Sequence, residues 1–531
     1  MFPLFLLLAC GLSAQNTDDS SSVVDSTAEG DSDTDTDADT DIDLPCGQGG
    51  FAQQAEQWAL PQLGADSDPA ALRTTSGSDS VTCASGGTGT VSWTTTDLND
   101  DRWPDLLVTR DECDALVSLV QWNVHYGAQG GFASASQSWS IPILGASRDP
   151  AALTAASGSD TVACTGSDNG TVSWTTMDLS GDGVLDLVVH RNTCEALVSL
   201  AEWHVYQGSA SGFGDKSSFS LPQLGGDTDP AYLINTSGSE SVACQSGGTG
   251  AVSWSLQDMT GDGAVDLVVP QDSCDALVSL VKWQVYENSG TGFGTPRDWE
   301  IPILGASSDP AQLTALSGSD TVACAGGGSG TVAWSTTELT GDDWPDLVVH
   351  QDDCDVLVGL ASWRVYPGSE GGFGAPVSWT LPQLGADTDP AVLNRLSGSD
   401  SVACSQGGSG TVTWQLADMT GDGQADLIAP RFDCDALVSL AWWEIYAGQD
   451  GGFASKASWT LPLLGDASSP ADLSSLTSSG AAACSGGGSG SLSWITGPLD
   501  SDGIPDLYVT SNTCDPLVSL AWWESYPGVC E

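Results

Sequence analysis

The sequence predicts an all-β fold made from six copies of one unit, and three observations lead to this prediction. Cysteines recur in pairs 30 residues apart, and successive pairs advance by 81 and then by 80 residues. Between them lie short alternating or apolar segments, separated by Gly/Asp turns, which are typical of β-strands. No segment has convincing helical periodicity. A fixed period over most of the 531-residue chain indicates one structural unit that is repeated.

The cysteines that define the period are predicted to form disulfides. An even set of cysteines with the same spacing in every copy is typical of a chain that folds in an oxidising compartment. Cys46 and Cys530 lie on either side of the array and are a further candidate pair. The six internal pairs are Cys83 with Cys113, Cys164 with Cys194, Cys244 with Cys274, Cys324 with Cys354, Cys404 with Cys434 and Cys484 with Cys514.

The fifth copy shows how one unit is expected to fold. Residues 410–416 alternate between polar and apolar, residues 426–429 form a short apolar strand, and 437–446 and 453–462 are two further strands. Four short strands per copy, repeated six times, are most simply arranged as blades around one axis. The predicted fold is therefore an all-β, six-bladed β-propeller of four-stranded blades.

The two ends of the array predict that this ring is closed. The last copy, residues 490–526, has only three strands, and residues 49–61 match the missing fourth. A disulfide between Cys46 and Cys530 would join the ends where the turn between the third and fourth strands is interrupted. We therefore expect residues 46–531 to form one domain in which the N-terminal strand completes the last blade.

The residues before this domain predict export and attachment. Residues 1–9 are apolar but too short to cross a bilayer, and they end in Leu7-Leu8-Ala9-Cys10, which resembles a bacterial lipobox. No Lys or Arg precedes Arg73, so a conventionally cleaved signal and a retained segment are alternatives. With Cys10 lipidated and residues 10–45 as an acidic, disordered Asp/Ser/Thr-rich linker, the chain is expected to be an exported lipoprotein of the outer membrane or cell surface.

The net charge of the chain excludes two classes of partner. The sequence has 70 Asp and Glu residues against 12 Lys and Arg residues, a net charge of −58. Such a field repels nucleic acid and anionic membrane surfaces, and it attracts divalent cations and cationic partners. Membrane attachment is therefore expected through the N-terminal lipid only.

Every copy also contains an Asp-rich turn with the spacing of a calcium loop. Oxygen ligands at positions 1, 3, 5 and 9 of the turn, with the carbonyl at position 7, would surround Ca²⁺. An Asp/Gly turn without an ion is the alternative, and hydroxyls at position 3 would make weak sites. Position 1 of the last copy is Pro498. The candidate ligands are Asp97, Asn99, Asp101, Asp105, Asp178, Ser180, Asp182, Asp186, Asp258, Thr260, Asp262, Asp266, Glu338, Thr340, Asp342, Asp346, Asp418, Thr420, Asp422, Asp426, Asp500, Asp502 and Asp506.

This turn and a later Gly-Phe-Gly motif resemble the FG-GAP/VCBS repeat family. In the second copy the turn and the strand after it read Asp-x-x-Gly-Asp-Gly-x-x-Asp-Leu-Val-Val, and Gly372-Phe373-Gly374-Ala375-Pro376 follows the third strand of the fourth. The resemblance covers residues 49–528, and the family includes integrin α-chain propellers and many bacterial surface proteins. It implies a calcium-bearing β-propeller used for binding, with the Asp positions above as ligands. The longer period and the cysteine pairs depart from the family pattern.

The tryptophans follow the repeat, which favours packing between blades over ligand binding. Six lie in predicted first strands, six in third strands and five in fourth strands, where Phe219 takes the remaining place. Stacking against sugars is the alternative. Its candidates are the tryptophans outside the pattern, Trp103, Trp344, Trp442 and Trp522.

Binding is the expected function, with the connections between blades as the expected surface. These connections would form a broad acidic face, although a solvated, disulfide-rich cap is the alternative. The expected partner is a surface protein, in recognition or adhesion, or else a glycan, in a lectin-like protein. A hydrolase or lyase is less favoured, because the four histidines share no suitable position and no catalytic motif occurs in a fitting context. The acidic residues of this face are Asp114, Glu195, Asp275, Asp355, Asp435 and Asp515.

Overall fold

The computed structural model describes residues 49–166, 168–499 and 502–530. Within these ranges the regular structure consists of β-strands, as the sequence predicts. The described residues contain no helix with the length and apolar character needed to cross a membrane. The predictions for residues 1–9, for the linker at 10–45 with Cys10, and for Cys46 lie outside the described residues.

The strands are numbered in chain order. The N-terminal segment contains β1 (Gly49–Phe51) and β2 (Glu56–Ala59). Repeat 1 contains β3 (Ser76–Thr82), β4 (Thr88–Thr96), β5 (Asp105–Asp111), β6 (Gln121–His125), β7 (Gly127–Ala128), β8 (Gly131–Phe132) and β9 (Gln137–Ser140). Repeat 2 contains β10 (Gly158–Ala163), β11 (Asn169–Met177), β12 (Asp186–Asn192), β13 (Glu202–Tyr206) and β14 (Lys216–Ser220). Repeat 3 contains β15 (Gly238–Ala243), β16 (Thr249–Gln257), β17 (Asp266–Asp272), β18 (Lys282–Asn288) and β19 (Phe293–Glu300). Repeat 4 contains β20 (Ser317–Ala323), β21 (Ser329–Thr337), β22 (Asp346–Asp352), β23 (Ser362–Tyr366), β24 (Gly368–Ser369), β25 (Gly372–Phe373) and β26 (Val377–Thr380). Repeat 5 contains β27 (Gly398–Ala403), β28 (Ser409–Ala417), β29 (Asp426–Phe432), β30 (Trp442–Tyr446), β31 (Gly448–Gln449), β32 (Gly452–Phe453) and β33 (Ala457–Thr460). Repeat 6 contains β34 (Thr477–Ala483), β35 (Ser489–Gly497), β36 (Asp506–Asn512), β37 (Trp522–Tyr526) and β38 (Gly528–Cys530).

Each repeat forms one open sheet, which confirms the prediction of six repeated all-β units. In repeat 5 the strand order is β27-β28-β29-β30-β33, and repeats 1 to 4 use their own strands in the same order, whereas repeat 6 supplies only the first four. A short segment of the next repeat lies parallel to the last of these strands, as Gly452 lies beside Thr380. Neighbouring sheets in the chain are therefore joined by backbone pairing.

The sheets have five such strands where the sequence predicted four. The additional strand comes first, as with β27, which pairs antiparallel with β28. The sequence predicts a connection between blades here, because Gly and Asp are depleted in strands. Only Val402 in this strand is fully buried, so pairing with β28 holds it in place. The predicted first, third and fourth strands are therefore the second, fourth and fifth strands of each sheet.

Two predicted strands are shorter in the structure than expected. The strand predicted at 437–446 begins at Trp442, because Ser439 has a φ of 75° and the Asp435 carboxylate accepts a hydrogen bond from the Leu437 N–H. The strand predicted at 453–462 is divided. Phe453 belongs to β32, which joins the sheet of repeat 4, and only β33 lies in the sheet of repeat 5.

The N-terminal strand β2 takes the fifth place in the sheet of repeat 6, as the sequence predicts. It pairs antiparallel with β37, with Trp58 opposite Trp523. The Trp523 Nε1–H donates a hydrogen bond to the Leu72 carbonyl oxygen at 2.6 Å. The strand β1 pairs with β38 and lies parallel to β33 of repeat 5. The two ends of the described chain therefore belong to the same sheets.

Six apolar cores lie between consecutive sheets, and one of them joins the last sheet to the first. That core contains Trp58 of β2, Trp93 of β4 and Tyr508 of β36; the other five join the sheets in chain order. All the tryptophans that follow the repeat are at most 4% exposed. This confirms the packing interpretation for these residues.

The six predicted internal disulfides are present. Each joins the turn between the first and second strands to the turn after the third strand. In the chain-entropy model, closing a loop of this length stabilises the fold by about 3–4 kcal/mol. The bonds join Cys83 to Cys113, Cys164 to Cys194, Cys244 to Cys274, Cys324 to Cys354, Cys404 to Cys434 and Cys484 to Cys514.

Cys530 at the end of the array is also disulfide-bonded. Its predicted partner Cys46 lies outside the described residues. The pairing of these two cysteines therefore stays a prediction.

Candidate functional site

The predicted calcium turns, which we call Asp loops, connect the second and third strands of each sheet. Consecutive loops lie side by side. A Cβ atom placed on Gly183 would lie 2.6 Å from the Asp100 carboxylate, and one placed on Gly421 would lie 3.2 Å from the Gly503 carbonyl oxygen. Asp500 of the last loop lies outside the described residues. The loops are residues 97–105, 178–186, 258–266, 338–346, 418–426 and 498–506.

The aspartates at position 9 are buried and tie each loop to its sheet. In repeat 5, Asp426 Oδ2 accepts hydrogen bonds from the Met419 and Thr420 N–H groups at 2.8 and 3.0 Å. Its Oδ1 accepts one from the Gly448 N–H at 2.9 Å. The equivalent bonds from position 2 and from the end of the fourth strand recur in the other repeats. These residues, at most 1% exposed, are Asp105, Asp186, Asp266, Asp346, Asp426 and Asp506.

The acidic residues at positions 1 and 5 accept backbone hydrogen bonds within their own loop. In repeat 2, Asp178 accepts from the N–H groups of Gly181 and Gly183 at 2.7 and 2.8 Å, and Asp182 accepts from Val184 at 3.0 Å. Such bonds can hold the turn with or without an ion. Corresponding bonds are made by Asp97, Asp101, Asp258, Asp262, Glu338, Asp342, Asp418, Asp422 and Asp502.

Burial and mutual repulsion raise the pKa of carboxylates in these loops. Burial is the main cause, and neighbouring carboxylates add to it, so that the pKa of Asp105 and Asp426 is raised to about 7 and that of Asp266 and Asp346 to about 6. The pKa of Glu338 is raised to about 7 by burial and by Asp346. A bound cation would offset this concentration of negative charge.

The donor atoms in the loops fit a hard cation in their chemistry. Glu338 Oε2 and Thr420 Oγ1, at positions 1 and 3 of their loops, are buried without a hydrogen-bond partner among the described residues. Carboxylate and hydroxyl oxygens of this kind are ligands that Ca²⁺ accepts. In the same part of the chain, no group of three or more His, Cys, Asp or Glu side chains is arranged to hold a metal ion. The carboxylates are held instead by backbone N–H groups.

Two of the tryptophans outside the repeat pattern are used in packing. Trp103 stacks on Trp58 and Trp344 stacks on Trp299, with ring centroids 5.8 and 6.1 Å apart. One face of each indole is therefore covered. The other two candidates for sugar stacking, Trp442 and Trp522, are half-buried at the start of β30 and β37.

A cavity of about 250 Å³ lies in repeat 2, where Phe219 takes the place of the fifth-strand tryptophan. The equivalent place in repeat 5, beside Trp459, has a cavity of only about 20 Å³. In the sequence, the feature that corresponds to this cavity is the replacement of a repeated tryptophan by Phe219. This replacement alone does not predict a cavity. The cavity is lined by Leu179, Ser180, Asp186, Val205, Gln207, Ser217, Ser218, Phe219, Gly290 and Thr291.

Exposed leucines recur in the turns between the third and fourth strands, which we call clip turns because each contains a disulfide cysteine. The leucine three residues after that cysteine is 48–58% exposed in all six repeats. The clip turns are residues 113–120, 194–201, 274–281, 354–361, 434–441 and 514–521. The exposed residues are Leu116, Leu197, Leu277, Leu357, Leu437 and Leu517. The sequence alone does not point to these leucines, because Leu437 lies within the strand predicted at 437–446.

The acidic residues predicted to form a binding face shape these clip turns. Five of the six accept a hydrogen bond from the N–H of the exposed leucine itself. The sixth, Glu195, lies 3.5 Å from Lys216 Nζ. Lys282 and Arg364 pair with Asp275 and Asp355. The face is therefore partly neutralised in repeats 2, 3 and 4.

A short segment that follows the fifth strand, such as residues 141–143, lies beside each clip turn. The character of its third residue alternates between apolar and polar from one repeat to the next. Its backbone is bonded to the turn, as when the Ile141 N–H donates to the Val120 carbonyl oxygen. In three repeats its third residue is an exposed aliphatic side chain, and in the other three it is a glutamine bonded to an aspartate. The aliphatic set is Ile143, Ile303 and Leu463, and the glutamine set is Gln62, Gln223 and Gln383.

The four histidines are buried structural residues at separate places. The Nδ1 atoms of His125, His190 and His350 bond to backbone carbonyl oxygens, and burial lowers the pKa of all three. His204 lies beside Glu202. No common site brings them together.

No family model matches the chain. None of the curated proteins compared with it matches either. Among solved structures, it is similar to a chain of the Tc holotoxin pore of Photorhabdus luminescens, with 16% sequence identity and a TM-score of 0.40. The match covers 88% of this chain but only 15% of the length of the toxin chain. The chain therefore spans a small part of that protein, and the likeness is too low to support an inference about function.

Proposed function

We propose that residues 46–531 form a closed six-bladed β-propeller of the FG-GAP/VCBS type, which binds calcium and recognises a partner without catalysis. Closure is supported by the place of β2 in the last sheet and by the apolar core between repeats 6 and 1. In this proposal Cys10 carries a lipid and residues 10–45 tether the propeller to the surface of the cell envelope. Its role there is recognition or adhesion.

The six exposed leucines of the clip turns are the observation that carries this proposal. Single exposed leucines are ordinary, but their recurrence at the same position in all six repeats supports a shared role in binding. The carboxylates beside them attract a partner that presents apolar side chains flanked by basic groups. The alternation of aliphatic and glutamine residues beside the turns suits a partner that makes three equivalent contacts.

Replacing Leu116, Leu277 and Leu437 together by serine is expected to weaken partner binding by about a hundredfold or more, because three leucines that each contribute about 1 kcal/mol or more at an interface together contribute about 3 kcal/mol. The partner would first be identified by screening surface proteins and glycans against the propeller, with and without calcium. Affinity would then be measured by calorimetry. The control is Val377→Ser. Val377 is an exposed residue at the start of β26, and this end of the strand lies away from the clip turn. Equal binding by both variants would contradict the leucine face.

Calcium is expected to raise the melting temperature, because an ion that binds only the folded state stabilises it.

Without calcium, the raised carboxylate pKa values make stability depend on pH. An unfolded Asp has a pKa of about 3.9, and Asp105 and Asp426 titrate near 7 in the folded state. The folded state therefore favours the protonated form, and this contribution is lost as pH rises from about 4 through 7.

The measurement is the melting temperature between pH 4 and pH 8, in a chelator and in excess Ca²⁺. We expect a decline with pH in the chelator and a smaller decline with Ca²⁺, because the ion favours the charged carboxylates. Equal melting temperatures at pH 7 in the two buffers would mean that the Asp loops form without metal.

Glycan binding is the second candidate function, and one observation favours it. The cavity in repeat 2 combines apolar and hydroxyl-bearing side chains and opens at the surface through Gln207 and Thr291.

A further inference from the structure

We propose that the cavity of repeat 2 binds one neutral sugar residue, such as the terminal unit of a glycan. The proposal does not depend on the leucine face or on closure of the ring. The lining residues come from the Asp loop of repeat 2, the strands β13 and β14 with the residue after β13, and the turn that precedes β19.

The equivalent positions in repeat 5 show which substitutions create the cavity. Compared with repeat 5, repeat 2 has three smaller lining residues. At two other positions it has a polar side chain where repeat 5 has alanine. Every one of these exchanges either enlarges the cavity or adds hydrogen-bonding atoms to its wall. Repeat 2 has Phe219 in place of Trp459, Val205 in place of Ile445, Ser180 in place of Thr420, Gln207 in place of Ala447 and Ser217 in place of Ala457.

The small cavity in repeat 5 has the size and chemistry of a site for one water molecule. Its volume of about 20 Å³ is sufficient for a single water. Trp459 and Thr420 line it, and Trp459 Nε1 has no hydrogen-bond partner among the described residues. A water in the cavity could accept a hydrogen bond from this indole N–H. The volume in repeat 2 is more than ten times larger, so a larger molecule can be accommodated there.

The lining of the repeat 2 cavity favours a neutral ligand. None of its lining residues is Lys, Arg or His. Its one acidic residue is already engaged, because Asp186 accepts hydrogen bonds from the N–H groups of Leu179, Ser180 and Gly208. The net charge of the chain disfavours anions. An anionic ligand would therefore lack a partner of opposite sign, and a cationic organic ligand would find only this one carboxylate, which is already hydrogen-bonded.

The remaining groups match the two-sided character of a pyranose ring, which has C–H faces and a rim of hydroxyl groups. Phe219, Leu179 and Val205 provide an apolar floor. Ser217 Oγ donates a hydrogen bond to the Val205 carbonyl oxygen, so its lone pairs can accept from a ligand hydroxyl. The Gln207 amide can both donate and accept. The volume is below the roughly 300–1,000 Å³ of drug-sized sites, which suits a single sugar residue.

The test is titration of the full chain, in excess Ca²⁺, with a panel of neutral hexoses, 6-deoxyhexoses and N-acetylhexosamines. Binding would be measured by calorimetry and by saturation-transfer NMR. We expect at least one sugar to bind with a stoichiometry near one. Phe219→Trp is expected to abolish this binding without lowering the melting temperature, because the other repeats accommodate tryptophan at this position.

Repeat 5 supplies the matched controls. Trp459→Phe alone should leave sugar binding unchanged, because Ala447 and Ala457 provide no polar side chain there. The variant that carries all five exchanges should add a second site and bring the stoichiometry near two; the exchanges are Trp459→Phe, Ile445→Val, Thr420→Ser, Ala447→Gln and Ala457→Ser. The proposal is overturned if no sugar of the panel binds, or if Phe219→Trp binds as well as the natural chain. The second result would move the site to the half-buried Trp442 and Trp522.

Discussion

A chain that lacks residues 46–61 is expected to melt at a much lower temperature than one that begins at residue 46. The deletion removes β2, which pairs with β37 and places Trp58 in the core between repeats 6 and 1. Loss of a buried tryptophan alone costs about 3–5 kcal/mol. The deletion also leaves β37 paired only with β36 and uncovers Trp523, so β37 becomes an unprotected edge strand.

The comparison needs two chains that differ only in this segment. One begins at residue 46 and the other at residue 62, and both carry Cys530→Ser because the shorter chain lacks Cys46. Melting would be followed by circular dichroism, and exposure of the last sheet by tryptophan fluorescence. If both chains melt at the same temperature, the N-terminal strand does not complete the array and the propeller proposal fails.

Asp426→Ala is expected to lower the stability of repeat 5 by about 3 kcal/mol, because three buried backbone N–H groups lose their acceptor at about 1 kcal/mol or more each. These are the N–H groups of Met419, Thr420 and Gly448. The loss should be present in a chelator as well as in calcium, because it comes from hydrogen bonds within the chain.

Asp422→Ala in the same loop is the matched control. Asp422 is exposed and accepts one backbone hydrogen bond, from Gln424. Its loss should cost less than about 1 kcal/mol in a chelator and should weaken the stabilisation by calcium. Melting curves of the two variants, each in chelator and in Ca²⁺, separate the structural role from the ligand role. Equal destabilisation of both variants in the chelator would contradict the assignment of position 9 as the structural anchor.

The period of the sequence made much of this fold predictable, because repeated side chains occupy repeated environments. The cysteine spacing predicted the six internal disulfides, the tryptophan positions predicted the buried strands, and the incomplete last copy predicted the pairing of β2 with β37. The first strand of each sheet was missed because its Gly, Ser and Asp residues lack strand propensity. Its conformation depends on the neighbouring strand, which local sequence does not describe.

The site was less predictable than the fold, and the reasons are physical. An aspartate that binds an ion and one that accepts backbone N–H groups can have the same spacing, so Asp426 could be recognised as an anchor only from its contacts. The cavity beside Phe219 depends on the volume left by several smaller side chains. The exposure of Leu437 depends on the turn at Ser439, whose positive φ interrupts an otherwise strand-like sequence.

The hydrogen bond from Trp523 to Leu72 joins residues 451 positions apart, and this separation affects how the protein is made. In synthesis β2 emerges long before β37. Until β37 is present, β2 has no partner in the sheet of repeat 6, and an unpaired strand can be captured by another molecule. The pairing of these two strands is therefore expected to be the slowest and most error-prone step in folding the array.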